Sequence, residues 1–245
     1  MILEVCTEGV EMSVDAYQAG ATRIELCAAI AQGGITPSAG VIEQVCKSVK
    51  CPVHVMIRPR AGDFLYSSYD FAAMLDDISA AKDLGAEGVV FGLLDADGLI
   101  DTERCEKLLD AAVGMKTVFH RAFDMAADPY GSFNMIQELG FDVLLTSGRR
   151  QTAKDGMEVI RQLVSRKKSN IQIMAGSGVS PSNAAILAST GVQALHFTCK
   201  KIMDGAMRFQ NRELQSMGSA DRDEFAVEMF DLDKFNNIKN AVEAI

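Results

Sequence analysis

The residues with the clearest chemical potential are two cysteines and two glutamates that occur as pairs two positions apart. Glu4 and Cys6 form the first pair, and Glu25 and Cys27 form the second. Because alternate residues of a β-strand point to the same face, each pair would present a carboxylate and a sulfur together. Cu(I) prefers thiolate and thioether ligands, and Met56 could add a third sulfur. The pattern predicts a Cu(I) site at Cys6, Cys27 and Met56; two small buried thiols are the alternative.

A second group of residues is suited to acid–base chemistry. His120 ends an apolar run, Arg121 follows it, and Asp124 comes three positions later. Histidine changes its charge near neutral pH, and a positioned carboxylate can also move protons. We therefore predict His120, Glu25, Arg121 and Asp124 as candidate catalytic residues. The alternative is that His120 only hydrogen-bonds Glu25 or Glu4 and shapes the site.

A third group could bind an anion. Arg58 and Arg60 flank a proline in a loop that also contains Asp63, and two arginines can clamp a carboxylate or phosphate. The alternative is an ion-pair network that holds this loop down. Glycine-rich turns that lead into a helix offer N–H groups to an anion. Such turns occur at two places, which add these candidate ligand-binding residues: Thr146, Ser147, Gly148, Gly176, Ser177 and Gly178.

Two inward-facing glutamates need partners, because a buried charge without one is costly. We expect Glu4 and Glu25 to pair with Arg58, Arg60 or Arg121. The other histidines are harder to assign. His54 is expected in the core, and His196 could face either way because a one-residue slip reverses a strand's faces.

The elements that would position these residues are eight short apolar runs separated by amphipathic stretches. The predicted strands are Ile2–Cys6, Arg23–Cys27, Val53–Ile57, Gly88–Phe91, Thr117–His120, Val143–Thr146, Ile171–Ala175 and Ala194–Phe197. Alternating strands and helices indicate a parallel sheet, and eight such units in 245 residues favour a closed (β/α)8 barrel of the TIM type. An open doubly wound sheet is the alternative, but no GxGxxG follows the first strand. A barrel would bring all three groups to one mouth, at the carboxyl ends of its strands.

One domain is expected over residues 1–245, with the barrel over about 1–200 and a C-terminal extension over about 201–245. Within that extension we predict a loop over Ser216–Glu224 and a helix over Glu224–Ile245.

The acidic composition limits the possible partners. The formal net charge is −9, which argues against nucleic acid and against anionic membrane surfaces. Residues 1–6 show no signal-peptide pattern and no apolar run is long enough to span a membrane, so we expect a cytoplasmic protein. The six cysteines include no CxxC pair and are expected to be reduced thiols.

Several strings in this order resemble motifs of the CutC copper-homeostasis family. They are RIELC at 23–27, GGITPS at 33–38, IRPRAGDF at 57–64, FHRAFD at 119–124, LTSG at 145–148, MAGSGV at 174–179 and MRF at 207–209. The resemblance extends from about residue 1 to about residue 230 and implies a TIM barrel, cytoplasmic control of copper and Cu(I) binding through cysteines. It departs at Leu195–Cys199, where bulky Phe197 replaces small polar residues, so we assign no anion contact to that loop.

Two functions remain open. The first is a copper-handling protein that binds Cu(I) reversibly through Cys6 and Cys27. The second is an enzyme that acts on a small anionic substrate by acid–base chemistry at the barrel mouth. A purely structural module is the weakest hypothesis, because so many charges in a barrel mouth are costly without a use. We also expect a homodimer.

Overall fold

The protein folds as a closed barrel of eight parallel strands, as predicted. The computed structural model describes residues 1–168, 170–211, 213–214, 216–217 and 223–245. The barrel strands are β1 (Ile2–Glu8), β2 (Arg23–Cys27), β3 (Val53–Met56), β4 (Gly88–Phe91), β5 (Lys116–Phe119), β6 (Val143–Thr146), β7 (Gln172–Gly176) and β8 (Ala194–Phe197). Each strand pairs with its neighbour in sequence, and β1 closes the barrel by pairing with β8.

The predicted strand positions agree closely with the structure. The bounds of β2, β4, β6 and β8 are those predicted, and the ends of the other four differ by one or two residues. These runs are recognisable because parallel strands are buried on both faces and are therefore almost continuously apolar.

The helices surround the barrel, and several of them begin after a side chain that caps the first turn. They are α1 (Val10–Ala19), α2 (Ala39–Ser48), α3 (Ser68–Asp83), α4 (Thr102–Ala111), α5 (Ala122–Met125), α6 (Pro129–Leu139), α7 (Met157–Ser165), α8 (Ala184–Ala188) and α9 (Leu232–Glu243). Helix α3 starts with a capping box, in which Ser67 and Asp70 each accept a hydrogen bond from the other's backbone N–H. Pro129 at the start of α6 follows the cap residue Asp128.

The C-terminal segment differs from its prediction. Instead of one helix from Glu224, a strand β10 (Ala226–Phe230) pairs antiparallel with β9 (Lys200–Asp204), and α9 follows it. Phe235 of α9 packs against Phe197 and Phe230, which attaches the segment to the barrel. The helix prediction was wrong at its start because an apolar face at helical spacing begins only after Asp231. Of the predicted loop over Ser216–Glu224, residues 218–222 lie outside the described residues.

The barrel interior combines an apolar layer with buried charges. The apolar side chains inside the barrel are those of Val90, Val118, Val143, Leu145, Met174 and Ala194. Glu4, Arg23 and His54 are buried on the first three strands. Room for the His54 ring comes from Gly88, where a Cβ atom would lie 2.4 Å from the ring. The strands thus place a polar cluster inside a closed cylinder that is otherwise lined mostly by apolar side chains.

Candidate functional site

Glu4 is the central charge of the barrel interior. It is fully buried and accepts hydrogen bonds from Arg23 Nε and from His196 Nδ1, the latter at 2.7 Å. Arg23 also reaches the sulfur of Met174 at 3.1 Å. Burial raises the pKa of Glu4, but Arg23 and His196 outweigh burial and hold the pKa at about 2. Glu4 is therefore ionised, and it fixes the orientation of the His196 ring.

The predicted partners of Glu4 were wrong. Its partners are Arg23 and His196, not Arg58, Arg60 or Arg121. The reason is register: Glu4 lies opposite Arg23 on β2 and opposite His196 on β8. The buried charges are neutralised within the strands and need nothing from the loops.

His196 connects Glu4 to the sulfur atoms. Its Nε2 atom lies 3.6 Å from Glu25 Oε2, and one ligand atom each of Cys6, Glu25 and His196 lies within 4.8 Å of the others. Burial opposes a charge on this ring, but Glu25, Cys6 and Glu4 raise the pKa of His196 well above its ordinary value. His196 was not predicted as a site residue, because both faces of β8 are mostly buried and its alternation carries no polar signal.

The two sulfurs lie side by side. Cys6 Sγ and Cys27 Sγ are 3.7 Å apart, and Cys27 Sγ is 3.4 Å from Glu25 Oε2. The hydrogen bond with Cys27 lowers the pKa of Cys6; burial opposes this and His196 adds to it, giving a pKa of about 5. The same hydrogen bond and burial raise the pKa of Cys27 well above its ordinary value. Burial likewise raises the pKa of Glu25. Within the Cys6 cluster (Cys6, Glu25, Cys27 and His196), a negative charge is therefore favoured on the sulfur of Cys6 over that of Cys27.

The Cys6 cluster lines a cavity of about 930 Å³ at the carboxyl ends of the strands. We refer to this space as the mouth cavity. Predicted site residues that line it are Cys6, Glu25, Cys27, Met56, Arg58, Asp63, His120, Arg121, Asp124, Ser177 and Gly178. Predicted site residues that do not line it are Arg60, Thr146, Ser147, Gly148 and Gly176.

The predicted arginine clamp is corrected by the structure, because both arginines bind their own surroundings. Arg58 is buried and donates to the backbone carbonyls of Gln32, Gly34 and Gly62. Arg60 lies outside the mouth cavity and forms ion pairs with Asp63 and Asp70. These contacts agree with the alternative hypothesis, in which the arginines hold the loop after β3 in place instead of binding an anion.

The predicted anion-binding turn after β6 exists, but a side chain of the protein fills it. Asp124 accepts hydrogen bonds from the Thr146 hydroxyl, from the N–H groups of Ser147 and Arg149 and from Arg121 Nε. The turn needs a glycine at position 148, where φ is +66° and a Cβ atom would lie 2.2 Å from a backbone oxygen. The predicted binding of an external anion by Thr146, Ser147 and Gly148 is therefore corrected, and so is catalysis by Asp124, whose oxygens are fully used.

Replacing Asp124 with alanine should empty this turn and create an anion site. We expect the free energy of unfolding to fall by about 3 kcal/mol, because several buried donors lose a charged acceptor. Formate should restore part of the loss by binding the vacated donors. Thermal melting in sodium formate and in sodium chloride of equal ionic strength would measure this. Asp63→Ala, which removes an exposed carboxylate from the same cavity, is the control and should show no formate-dependent shift.

The turn after β7 differs from the prediction in its connection to a helix. Helix α8 begins only at Ala184, so Gly176, Ser177 and Gly178 do not form a helix start. Within the described part of the chain, the N–H groups of Gly178 and Val179 have no hydrogen-bond acceptor. Nor does Lys234, which lines the same cavity, form an ion pair with any described residue. We refer to this turn and Lys234 as the rim of the mouth cavity. It is the part of the cavity where hydrogen-bond donors have no acceptor.

His120 is held as a neutral ring. Its Nδ1 accepts a hydrogen bond from the N–H of Ala122, and the ring packs edge-on against Phe64. Burial and, next, the charge of Arg58 lower the pKa of His120 to about 3. The acid–base role of His120 stays a prediction, and the lowered pKa argues against it near neutral pH. Its Nε2 atom is buried, without a hydrogen-bond partner among the described residues.

The remaining cysteines lie apart from the Cys6 cluster. Cys46 and Cys51 are half-buried near the amino end of β3, and Cys105 and Cys199 are buried. Burial raises the pKa of Cys105 to about 12. Across the described residues, Cys6, Glu25 and His196 form the one group of three with metal-ligand geometry.

Comparison of the sequence with known families identifies its relatives. The sequence model of the CutC family matches residues 1–201. The chain belongs to the CutC family. A CutC family protein of Enterobacter sp. (strain 638) is 45% identical over 92% of this chain and 91% of its own length. The human copper homeostasis protein cutC homolog is 40% identical over 98% of this chain and 88% of its own length.

Solved structures support the same assignment. A crystal structure of a CutC protein from Streptococcus agalactiae superposes with a TM-score of 0.76 at 35% identity, covering 81% of this chain and 98% of that one. Thiamine phosphate pyrophosphorylase from Pyrococcus furiosus gives a TM-score of 0.59 at 17% identity, covering 99% of this chain and 95% of that one, and shares the fold alone. The CutC relatives thus connect this chain to a family in which some members are named for copper homeostasis.

Proposed function

We propose that this CutC family protein binds Cu(I) as its cargo at Cys6 and Cys27, at the floor of the mouth cavity. The observation that carries the proposal is the pair of sulfurs 3.7 Å apart, with His196 beside them. Soft sulfur ligands select Cu(I), and imidazole also suits copper. The open cavity gives the ion a path to the sulfurs.

The sulfur spacing favours a bent site with a third ligand. A metal about 2.3 Å from each sulfur, a typical metal–thiolate distance, would subtend a sulfur–metal–sulfur angle of about 107° across the 3.7 Å gap. Such an angle leaves a position open on the outer side. His196 Nε2 and the Met56 thioether are the candidates. Met56 is supported by its closeness to Cys27. A Cβ atom added to Gly34 would lie 3.2 Å from Cys27 Sγ and 3.6 Å from Met56 Cε.

The strand register keeps the two thiols from forming a disulfide. Cys6 is paired with Glu25, so Cys27 lies two residues further along β2. Strands about 4.8 Å apart with a rise of about 3.3 Å per residue put the two Cα atoms about 8 Å apart. This is longer than the roughly 4.4–6.8 Å that a disulfide spans. The sulfurs would therefore stay available to a metal.

Anaerobic Cu(I) titration against a chromogenic chelator tests the proposal. We expect the Cys6→Ser/Cys27→Ser double variant to bind Cu(I) about 100-fold more weakly or worse, since both soft ligands are lost. The matched control is Cys46→Ser/Cys51→Ser, which removes two half-buried thiols far from the cavity and should bind as the wild type does. Equal Cu(I) affinity of the Cys6→Ser/Cys27→Ser variant and the wild type would refute the assignment.

The second candidate function is an enzyme that acts on a small anionic substrate. It is favoured by the rim of the mouth cavity, where the Lys234 side chain and the N–H groups of Gly178 and Val179 find no acceptor within the described chain. A cavity of this size and mixed polarity is typical of small-molecule sites. The arginines predicted for this role are occupied elsewhere.

The cytoplasmic location and the homodimer stay predictions. The described residues include no helix that is both long and apolar enough to cross a bilayer. The net charge of −9 continues to argue against nucleic acid as a partner.

A further inference from the structure

Cys6, His196 and Glu4 form a chain of side chains that metal binding alone does not require. Glu4 accepts a hydrogen bond from His196 Nδ1 at 2.7 Å. His196 Nε2, on the other side of the ring, lies 3.6 Å from Glu25 Oε2, and Cys6 Sγ lies within 4.8 Å of a ring nitrogen and of a Glu25 carboxylate oxygen. A nucleophile, a base and a group that orients the base, in this order, are recognised by geometry on unrelated folds.

The three side chains differ in their exposure to the mouth cavity in the way that catalysis requires. Cys6 and His196 both line the mouth cavity, whereas Glu4 is fully buried behind them and does not. The sulfur and the base can therefore meet a substrate. The orienting carboxylate is shielded from water and is held in place by Arg23.

The rest of the mouth cavity indicates what kind of substrate would fit. Its walls include the apolar side chains of Ile30, Phe64 and Met125. Its rim offers Lys234 and the unpaired N–H groups of the turn at Gly178. A short apolar body with an anionic end matches this distribution.

We propose that Cys6 is the catalytic nucleophile of an acyl-transfer reaction on small esters or thioesters that carry an anionic group. The Cys6 sulfur attacks the acyl carbon, and the bond from that carbon to the leaving oxygen or sulfur breaks. The leaving group takes a proton from His196 Nε2, and the acyl group is left on Cys6 as a thioester. Water then gives a proton back to His196 as it attacks the same carbon, which releases the carboxylic acid and regenerates the Cys6 thiolate.

This inference takes up the enzymatic candidate and does not depend on Cu(I) binding. Both chemistries use the same sulfur, so bound Cu(I) would block acylation. A protein that binds Cu(I) but is not acylated would refute this inference and leave the copper proposal standing. A protein that is acylated but does not bind Cu(I) would refute the copper proposal and leave this inference standing.

The first measurement is the rate of alkylation of each cysteine by iodoacetamide, followed by peptide mass spectrometry on reduced, chelator-treated protein. We expect Cys6 to react faster than Cys46 and Cys51, although it is the most buried of the three. His196→Gln should slow Cys6 by about 30-fold at pH 7, because a thiol at its ordinary pKa of about 8.5 is only about 3% ionised. Cys46 and Cys51 are internal controls whose rates should not change in a folded variant. Equal rates at all three cysteines in the wild type, or no change at Cys6 in His196→Gln, would overturn the proposal.

The second measurement separates a reactive thiol from a catalytic one. Mono-4-nitrophenyl succinate carries a carboxylate, and 4-nitrophenyl acetate is its neutral counterpart. We expect a burst of nitrophenolate with the succinate, an acyl adduct on Cys6, and no burst in Cys6→Ala. We also expect a preference of about tenfold for the succinate over the acetate, reduced in Lys234→Gln. Absence of a burst with both esters would overturn acyl transfer, and equal bursts with both would overturn the anionic substrate.

Discussion

Replacement of Glu4 with leucine should lower the free energy of unfolding by about 3–5 kcal/mol, the usual cost of breaking a buried ion pair. Glu4 is fully buried, and its removal would leave Arg23 and His196 without their shared anion. Arg23 itself is only 6% exposed and cannot reach water without moving a strand. Urea denaturation of the purified variant, or its failure to accumulate as soluble protein, would measure the effect.

The matched control is the double variant Glu4→Leu/Arg23→Met, which removes both charges and keeps the volume. Buried ion pairs replaced by apolar residues are often neutral or stabilising, so we expect this variant to recover most of the lost stability. It should not recover Cu(I) affinity or Cys6 reactivity, because His196 would still lack the acceptor of its Nδ1 proton. A double variant as unstable as Glu4→Leu would show that Glu4 contributes through packing and not through its charge.

The parts of the site that could be predicted are those that follow from the alternation of side chains between the two faces of a strand. Glu4, Cys6, Glu25 and Cys27 were placed on inward faces because alternation along β1 and β2 needs only the position of each strand. The partner of Glu4 depends on the register between strands, which is set by the closure of the barrel. Nothing local to residue 4 indicates that β8 lies beside β1.

His196 and Asp124 illustrate two other limits. Both faces of β8 are mostly buried, so the sequence around His196 does not tell an inward from an outward side chain. Asp124 reaches the turn after β6 from the short helix α5, 22 residues before Thr146 in the chain. A turn rich in N–H donors can be recognised from its glycine and hydroxyl residues, but its occupant is decided by tertiary structure. The same holds for Arg58, because backbone carbonyls of two loops accept hydrogen bonds from its terminal guanidinium nitrogens.

Acid should destabilise the barrel at a pH where most carboxylates are still ionised, and His120 should be a main cause. Burial and the charge of Arg58 lower the pKa of His120 from 6.5 to about 3, and burial above all lowers that of His54 to about 4. In the unfolded chain both rings take up a proton below about pH 6.5. Each folded ring stays neutral, so its contribution to stability is complete above pH 6.5 and is lost as the pH falls toward the folded value.

Between pH 7 and pH 4.5, each of these histidines should cost about 3 kcal/mol of unfolding free energy, at about 1.4 kcal/mol per pKa unit. The wild-type slope also includes opposite contributions, because the pKa values of Glu25 and His196 are raised in the folded protein. The comparison that isolates His120 is therefore the difference between wild type and His120→Gln, an uncharged side chain that can still donate and accept hydrogen bonds. We expect the variant to lose about 3 kcal/mol less than the wild type over this interval, as measured by urea denaturation at the two pH values. Parallel losses in the two proteins would mean that the His120 ring takes up its proton while the barrel is folded, and the neutral ring assigned to the mouth cavity would then be wrong.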